Sequence, residues 1–162
     1  SIYSLVVDKL FQMRVQGEIP LPFLLLLEEA HNFVPNSPAS DPEQQARQLT
    51  RQIAQEGRKF GVGLVMISQR PSRLDETALS QCNSFVIMRL VNPADQQFVR
   101  RVIETIGEEE AKLLPDLDVG EAIISGQSVQ FPVLVRIKPP ESRGEREEED
   151  LIRDVLNFRP KQ

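Results

Sequence analysis

Two adjacent carboxylates, Glu28 and Glu29, stand at the end of the apolar segment Phe23 to Leu27. A short, continuously apolar run predicts a strand that is buried on both faces of a parallel sheet. Ligands of open α/β sheets bind beyond the carboxyl ends of the strands, so the acid pair is expected at a ligand-binding edge. In nucleotide-driven motors, one such acid holds magnesium through water and the other orients the attacking water. Burying two acids costs on the order of several kcal/mol without a compensating cation; the alternative is a strand that ends in solvated acids.

His31 is the only histidine of the chain and lies just after the acid pair. No second histidine and no nearby cysteine accompanies it, which argues against a zinc site. The sequence also offers no nucleophile for which His31 could act as a general base. We therefore expect this side chain to stabilise the loop after the strand by hydrogen bonding.

Three arginines, Arg47, Arg51 and Arg58, fall on one face of a predicted long helix, at offsets of four and seven residues. The planar guanidinium group suits phosphate oxygens, so this face is a candidate anion-binding surface. The alternative is a solvated face paired with local acids such as Glu43 and Glu56, and that alternative accounts for Arg47.

Arg58 differs from the other two because Gly57 and Gly61 flank its segment at the end of the helix. Glycines allow the backbone to approach a neighbouring molecule closely. The alternative for Arg58 is a surface salt bridge with Glu56 or Asp41, which would contribute at most about 1 kcal/mol to stability.

A second apolar segment, Val62 to Ser68, predicts another buried strand, and Gln69 follows it directly. Pro71 then ends the strand and turns the chain. An amide at the carboxyl end of a strand could sense the terminal phosphate of a bound nucleotide. Gln69 is therefore a candidate ligand-binding residue at the same edge as the acids.

Short apolar segments alternate with helical patterns along the chain, which predicts an α/β fold with a mostly parallel sheet and flanking helices. Strands are predicted near residues 23–27, 62–67 and 84–90, parallel and adjacent. Parallel strands share the direction of their carboxyl ends, so Glu28 and Gln69 are expected at one edge of the sheet.

The first helix is predicted to end near Gly17 and to be amphipathic, with apolar residues at Ile2, Leu5, Val6, Leu10 and Met13. The long polar helix is predicted over residues 42–59, with Asp41 as its N-cap and a thin apolar line at Ala46, Leu49, Ile53 and Phe60. The other predicted elements are a short helix near 76–81, a helix from Asn92-Pro93, a helical turn at GEEEAKLL, a hairpin over 121–136 and a closing acidic helix.

The composition indicates a globular protein: 40% of the 162 residues are hydrophobic and 27% are charged. The longest apolar run, Phe23 to Leu27, is far shorter than the roughly 20 residues that a membrane span needs. A single cysteine, Cys82, cannot form an internal disulfide, so a reducing, cytoplasmic location is expected. The net charge of -5 neither supports nor excludes a DNA partner, because much of the acid lies in residues 141–150.

The motifs EEAH after an apolar strand, EGRKFGVGL, SQRP and LDVGEAIISG resemble, in order and spacing, the HerA branch of the HerA–FtsK translocases over residues 23–135. The resemblance implies a RecA-like P-loop NTPase fold that uses ATP and Mg²⁺ to move along double-stranded DNA. It implies that Glu28 is the magnesium-side acid, Glu29 the catalytic acid and Gln69 the sensor. It further implies that Arg58 is an arginine finger that reaches the ATP of a neighbouring subunit.

The same resemblance implies a homo-oligomeric ring, a hexamer in this family, and a NurA-type nuclease as a partner, without a membrane role. If the chain lines such a ring, its DNA contacts should go to phosphates and should be sensitive to salt. Arg70 and Arg73, which flank the turn after Gln69, are the candidate DNA contacts. The alternative for both is pairing with Asp75 or Glu76.

One motif of the family is missing, because no G-x-x-x-x-G-K-S/T occurs in the 162 residues. We therefore expect the C-terminal half of a RecA-like ATPase domain at residues 1–138 and a C-terminal extension at residues 139–162. The chain is expected to be part of something longer and, by itself, to bind nucleotide poorly and hydrolyse none.

Two further readings stay open beside the motor. The chain could be a degenerate ATPase half that serves as a scaffold or assembly module without hydrolysis. It could also belong to an unrelated P-loop ATPase or GTPase with a generic acid-bearing strand, but EGRKFGVG followed by SQRP argues against this. An intact phosphate loop upstream would favour the motor over the scaffold.

Overall fold

The computed structural model describes residues 2–139 of the chain. The helices are α1 (Ile2–Val15), α2 (Asp41–Glu56), α3 (Glu76–Ser80), α4 (Pro93–Val102) and α5 (Glu108–Leu113). The strands are β1 (Phe23–Leu27), β2 (Val62–Met66), β3 (Ser84–Ile87), β4 (Glu121–Gly126) and β5 (Val133–Arg136). Short 3₁₀ turns lie at Ala30–Asn32, Gly57–Phe60 and Pro71–Arg73. The predicted acidic helix lies outside the described residues, as does the predicted extension after Pro139.

Strands β1 and β2 form a parallel pair in which Phe23 lies opposite Val62 and Leu27 opposite Met66. Helix α2 makes the crossover between them, as a parallel connection requires. The backbone pairing continues past the strands, since Ile67 N–H donates to the Leu27 carbonyl at 2.9 Å. The two loops that follow β1 and β2 therefore leave the same edge, which confirms this part of the predicted topology.

The prediction for the third strand is wrong in its pairing. Among the described residues, β3 pairs antiparallel with β4, with Ile87 opposite Ile123, and forms no strand pairing with β2. The amide of Gln127 also donates to the Asn83 carbonyl and fixes this register. Apolar periodicity identifies a strand but not its partner, so the pattern could not distinguish these two arrangements.

The predicted hairpin is confirmed. Strands β4 and β5 pair antiparallel, with Glu121 opposite Arg136 and Ile124 opposite Val133. The described residues thus combine one parallel pair with a three-stranded antiparallel sheet, order β3-β4-β5, inside a mixed α/β arrangement.

Two predictions about burial are also corrected. Strand β1 is buried on one face only, because the Leu24 and Leu26 side chains are 62% and 55% exposed. Helix α1 packs through Val7 and Phe11, whereas Ile2 and other members of the predicted apolar face are exposed. Helical spacing shows that a stripe exists, but the position of the neighbouring α2 decides which stripe is covered.

Helix α2 packs as predicted, since Ala46, Leu49 and Ile53 are buried. Its N-cap is Ser40 rather than the predicted Asp41, which lies inside the first turn. None of the helices within residues 2–139 is long and apolar enough to cross a membrane.

One hydrophobic cluster supports the edge where the two loops emerge. It contains the last residue of β1, Leu27, together with Val34 and Leu74 from the two loops. Phe98 and Val102 of α4 belong to the same cluster. The loops after β1 and β2 are therefore anchored on a shared core, which restricts how far their polar residues can move.

Candidate functional site

Glu29 has a left-handed backbone conformation, with φ 48° and ψ 50°. It is the only non-glycine residue with positive φ within the described part of the chain. This conformation costs an L-residue about 1–3 kcal/mol, and such strain concentrates at functional sites. The carboxylate is half-buried, and its Oε2 lies 3.3 Å from His31 Nδ1.

Glu28 is exposed, and its carboxylate forms no hydrogen bond or ion pair with any described residue. The acid pair is therefore not buried, and the desolvation argument for a compensating cation does not hold. The oxygens of Glu28 are nevertheless accessible at the sheet edge. Mg²⁺ is usually bound by one or two carboxylates together with waters and phosphates, and Glu28 suits that donor set. Within residues 2–139, no three His, Cys, Asp or Glu side chains cluster so as to hold a metal ion.

His31 joins the two loops at this edge, as its predicted hydrogen-bonding role required. Its Nδ1 lies 3.0 Å from Ser68 Oγ, and Ser68 Oγ accepts the amide of Arg70 at 3.1 Å. A proton on Nδ1 would lie between Ser68 Oγ and Glu29 Oε2. A change in the loop after β2 is thereby connected, through one imidazole ring, to the carboxylate of Glu29.

The loop after β2 is also held from the side of α4. Asp95, which is 4% exposed, accepts the amide of Ser72 at 2.9 Å. Next to this contact lies an open cavity of about 360 Å³ whose lining includes Gln69, Arg70 and Arg73. These three side chains are exposed, so the loop backbone is fixed while its polar groups face solvent.

The alternative pairing considered for Arg70 and Arg73 does not form. Asp75 accepts both hydrogen bonds of a bidentate contact from Arg51, at 2.7 and 2.5 Å. Glu76 pairs instead with Arg101 at 3.0 Å. The guanidinium groups of Arg70 and Arg73 have no ion-pair partner among the described residues.

Asp75 is buried, with 3% of its side chain exposed. Burial favours the neutral carboxyl, but the hydrogen bonds from Arg51 and the Ala78 amide outweigh it and lower the pKa of Asp75. The same contact raises the pKa of Arg51, so both groups carry charge at neutral pH. The bond to Ala78 caps helix α3, a role that the sequence DETAL indicates, whereas nothing local indicates the bond to Arg51.

Arg47 does not pair with Glu43 or Glu56, contrary to the interpretation based on the sequence. It donates to the Asn36 carbonyl at 2.9 Å, in the loop after β1. Glu43 accepts the Ala39 amide, and Glu56 accepts the side chain of Gln52. The offset in sequence placed these groups near one another, but a backbone amide binds Glu43 and a neighbouring side-chain amide binds Glu56.

Arg58 lies in the 3₁₀ turn between α2 and β2 and is exposed. A Cβ atom on Gly57 would lie 2.7 Å from the Val62 carbonyl oxygen, so only glycine allows the turn to pack against the start of β2. Gly61 then ends the turn at φ 70°. The predicted alternative, a salt bridge to Glu56 or to the Asp41 side chain, is not formed.

Arg58 lies before the amino end of β2, whereas Glu28 and Glu29 follow the carboxyl end of β1. Both strands contain five residues. At roughly 3.3 Å per residue, the two ends of the pair are about 17 Å apart. Arg58 is therefore not brought to the acids of its own chain, while Gln69, His31 and the acids are brought together.

A family model described as helicase HerA-like C-terminal matches residues 5–155. The DNA double-strand break repair helicase HerA of Pyrococcus furiosus is 46% identical over 116 residues, which are 72% of this chain and 20% of that protein. The protein of the same name from Sulfurisphaera tokodaii is 35% identical over 143 residues, 88% of this chain and 28% of that protein. The chain thus spans between a fifth and three tenths of the length of these relatives.

Solved structures with the same fold include the genome packaging NTPase B204 of Sulfolobus turreted icosahedral virus 2 in complex with AMPPCP. Its TM-score is 0.64 at 17% identity, over 82% of this chain and 64% of that chain. VirB4 of Thermoanaerobacter pseudethanolicus matches with a TM-score of 0.63 at 16% identity, over 86% of this chain and 36% of that chain. At these identities the likeness shows the fold alone, and it agrees with the predicted RecA-like α/β class.

Proposed function

Since this chain belongs to the family of HerA-like helicase C-terminal domains, we propose that it supplies the C-terminal half of the ATPase site of a DNA translocase. The observation that supports this most is the meeting of two loops at one sheet edge. One loop carries the strained Glu29, the other carries Gln69, and His31 hydrogen-bonds between them. A strand that merely ended in solvated acids would require neither the strain nor the contact.

In this proposal the edge binds the phosphate end of ATP with Mg²⁺. Glu28 holds the ion through water, which its carboxylate allows, since it is exposed and has no partner in the described part of the chain. The ion, when bound, neutralises charge on the phosphate oxygens. Glu29 accepts a hydrogen bond from the attacking water and orients it, and the Gln69 amide contacts the terminal phosphate.

We assign Arg58 to the nucleotide of a neighbouring subunit. Its distance from Glu28 and Glu29 and its lack of an acidic partner among the described residues both favour a ligand outside the chain. A guanidinium supplied in this way stabilises the charge of the transferring phosphoryl group. The assignment requires a homo-oligomeric ring, for which a hexamer is proposed.

The proposed DNA contacts are Arg70 and Arg73, which line an open cavity and have no ion-pair partner among residues 2–139. Such contacts would neutralise backbone phosphates of double-stranded DNA without reading the bases. The relative from Pyrococcus furiosus is named a double-strand break repair helicase. We accordingly propose work on DNA ends, beside a NurA-type nuclease.

The test replaces Glu29 with Gln in the complete protein. We expect steady-state ATP hydrolysis to be lost while ATP binding persists. The neutral amide of glutamine is a much weaker base and hydrogen-bond acceptor than the carboxylate, so it cannot orient and activate the attacking water. Glu104→Gln is the matched control, since Glu104 is exposed, distant in sequence and without a side-chain partner among described residues. Near-normal turnover of Glu29→Gln would contradict the assignment, and absence of hydrolysis in the unmodified protein would favour the scaffold.

A further inference from the structure

One ion pair with a buried carboxylate and a half-buried arginine connects helix α2 to the loop that bears Gln69, Arg70 and Arg73. Nε and Nη2 of Arg51 donate to the two carboxylate oxygens of Asp75, at 2.7 and 2.5 Å. This bidentate geometry fixes the orientation of both groups, not only their separation.

Asp75 is also the point where the two loops of the site join. Its amide donates to the Val34 carbonyl at 2.9 Å, in the loop after β1. Just before it, the Asn36 amide donates to the Arg73 carbonyl, and Pro35 forms an isolated antiparallel bridge with Leu74. The carboxylate and the backbone of one residue thus tie together α2, α3 and both loops.

The other Arg–carboxylate ion pairs of the described residues are different. Glu76 follows Asp75 directly in sequence and pairs with Arg101, but the side chains of Arg101 and Glu76 are 64% and 52% exposed. Arg100 and Glu108 are likewise both on the surface. Surface pairs of this kind contribute little to stability or geometry. Among the ion pairs of residues 2–139, only the pair of Arg51 and Asp75 has a nearly inaccessible carboxylate, at 3% exposure.

Arg51 lies in the middle of helix α2, and the turn that contains Arg58 follows the end of this helix. The helix is therefore shared by two parts of the proposed mechanism. Its interior is bound to the loop that faces the chain's own nucleotide, and its end presents the arginine proposed to reach the neighbour's nucleotide.

We propose that Arg51 and Asp75 are positioning residues that hold the loop bearing Gln69, Arg70 and Arg73 at the Glu29 edge and fix it to the helix that presents Arg58. The inference rests on the proposed function for its catalytic consequence. The pair touches neither nucleotide nor DNA in this assignment, so it acts on turnover through the placement of other groups.

The experiment uses Arg51→Lys in the complete protein, because lysine keeps the charge but loses the planar fork. We expect kcat for ATP to fall about 10- to 100-fold, as misplacement of reacting groups by about 1 Å can do. The Kd for ATP should change much less than kcat, since Gln69 is the one proposed nucleotide contact on the loosened loop and Glu28 and Glu29 lie on the other loop. Amide hydrogen exchange over residues 72–75 should become faster, which reports the loosened loop directly.

Two controls separate positioning from general destabilisation. Ile53→Val removes a methyl group from the buried face of the same helix and should lower the Tm without changing kcat or the exchange of residues 72–75. Glu76→Gln removes the neighbouring surface ion pair with Arg101 and should change neither kcat nor the hydrogen exchange of residues 72–75. If Arg51→Lys does not assemble, Asp75→Asn replaces it, because asparagine can still cap α3 through the Ala78 amide.

The proposal is overturned if the variant keeps wild-type kcat and loop exchange, or if kcat follows Tm equally in Arg51→Lys and Ile53→Val. Failure of the proposed function gives a different pattern. In that case the unmodified protein shows no ATP hydrolysis, or its Glu29→Gln variant shows near-normal turnover. Hydrogen exchange over residues 72–75 still decides whether the pair of Arg51 and Asp75 orders the loop.

Discussion

The arginines in the middle of helix α2 and the arginine just after its end have opposite surroundings. Arg47 and Arg51, in the interior of α2, donate to groups of the loops after β1 and β2. Arg58, just beyond the helix, is exposed and has no acidic partner among the described residues. Spacing put all three on one face, yet the fold turns the first two inward and leaves the third for another molecule.

The difference teaches that residue type and helical phase do not decide the role of an arginine. Desolvated guanidinium groups need partners with matching geometry, and the loops supply these for Arg51 and, in part, for Arg47. The Nε of Arg47 is buried and has no hydrogen-bond partner within residues 2–139, so even this inward group is not fully satisfied there. Arg58, Arg70 and Arg73 form a second class of exposed arginines, whose charge is unpaired within the described part of the chain.

The strongest way to break this division is to test whether Arg58 acts on a second subunit. Arg58→Ala should reduce ATP turnover about 10³- to 10⁵-fold, the range for an arginine supplied to a neighbouring phosphoryl group. Mixed with Glu29→Gln subunits, which should also be inactive alone, it should recover partial ATPase activity. Recovery arises where an intact Glu29 and an intact Arg58 face each other across an interface.

Lys59→Ala is the matched control, since Lys59 is exposed in the same turn but has no assigned role. Absence of recovery in rings shown to contain both subunits would argue against action in trans. Full activity of Arg58→Ala alone would place Arg58 with the functionally neutral surface arginines.

A smaller effect should separate the exposed arginines of the cavity from an exposed but paired one. Replacing Arg70 and Arg73 with Gln should weaken DNA binding and lower the slope of log K against log salt by about two, since each lost phosphate contact contributes roughly 0.9. Arg100→Gln should change neither quantity, because Arg100 is already paired with Glu108. DNA affinity at several salt concentrations tests this, and an unchanged slope would remove both residues as DNA contacts.

The smallest expected effect concerns the inward-facing Arg51 and its partner Asp75, and it is an effect on the free energy of unfolding. The pKa of Asp75 is lower when folded than when unfolded. Its stabilisation is therefore present above the unfolded pKa, about 3.9, and is lost as pH falls through the folded value. Asp75→Asn should destabilise by about 1–3 kcal/mol at pH 7, the scale of a charged hydrogen bond.

The measurement is denaturant unfolding of both proteins from pH 7 down to pH 3. The difference in unfolding free energy should shrink as the carboxyl of the wild type becomes protonated. A difference that is constant over this range would show that charge on Asp75 does not contribute. Among the described residues, the charged side chains that act on this carboxylate are Arg51 and Arg47, and both lower the pKa of Asp75.

Local signals in the sequence predicted the parts of the fold that depend on neighbours along the chain. The parallel pair, the hairpin and helix α2 follow from apolar runs, alternation and helical spacing. The hydrogen-bonding role of His31 also followed, because few other roles were open to it. The common edge of Glu28 and Gln69 was then a consequence of parallel strands.

Contacts between distant segments were not predictable in the same way. Arg51 and Asp75 are 24 positions apart, and the pair exists only after β2 has returned the chain to α2. The partner of β3 was missed for the same reason, since β4 begins at Glu121, more than thirty residues later. Residues 23–27 were expected to be covered on both sides, but sequence pattern reports apolar character and not the presence of a covering layer.

The left-handed backbone at Glu29 has a consequence for directed evolution. Glycine adopts this conformation without the steric penalty, and asparagine tolerates it better than glutamate does. A library selected for heat resistance alone would therefore tend to accumulate those two residues at position 29 and discard the carboxylate. Selection for thermal stability should therefore keep residue 29 fixed, because a position at which substitution can add stability is also the one proposed to perform the chemistry.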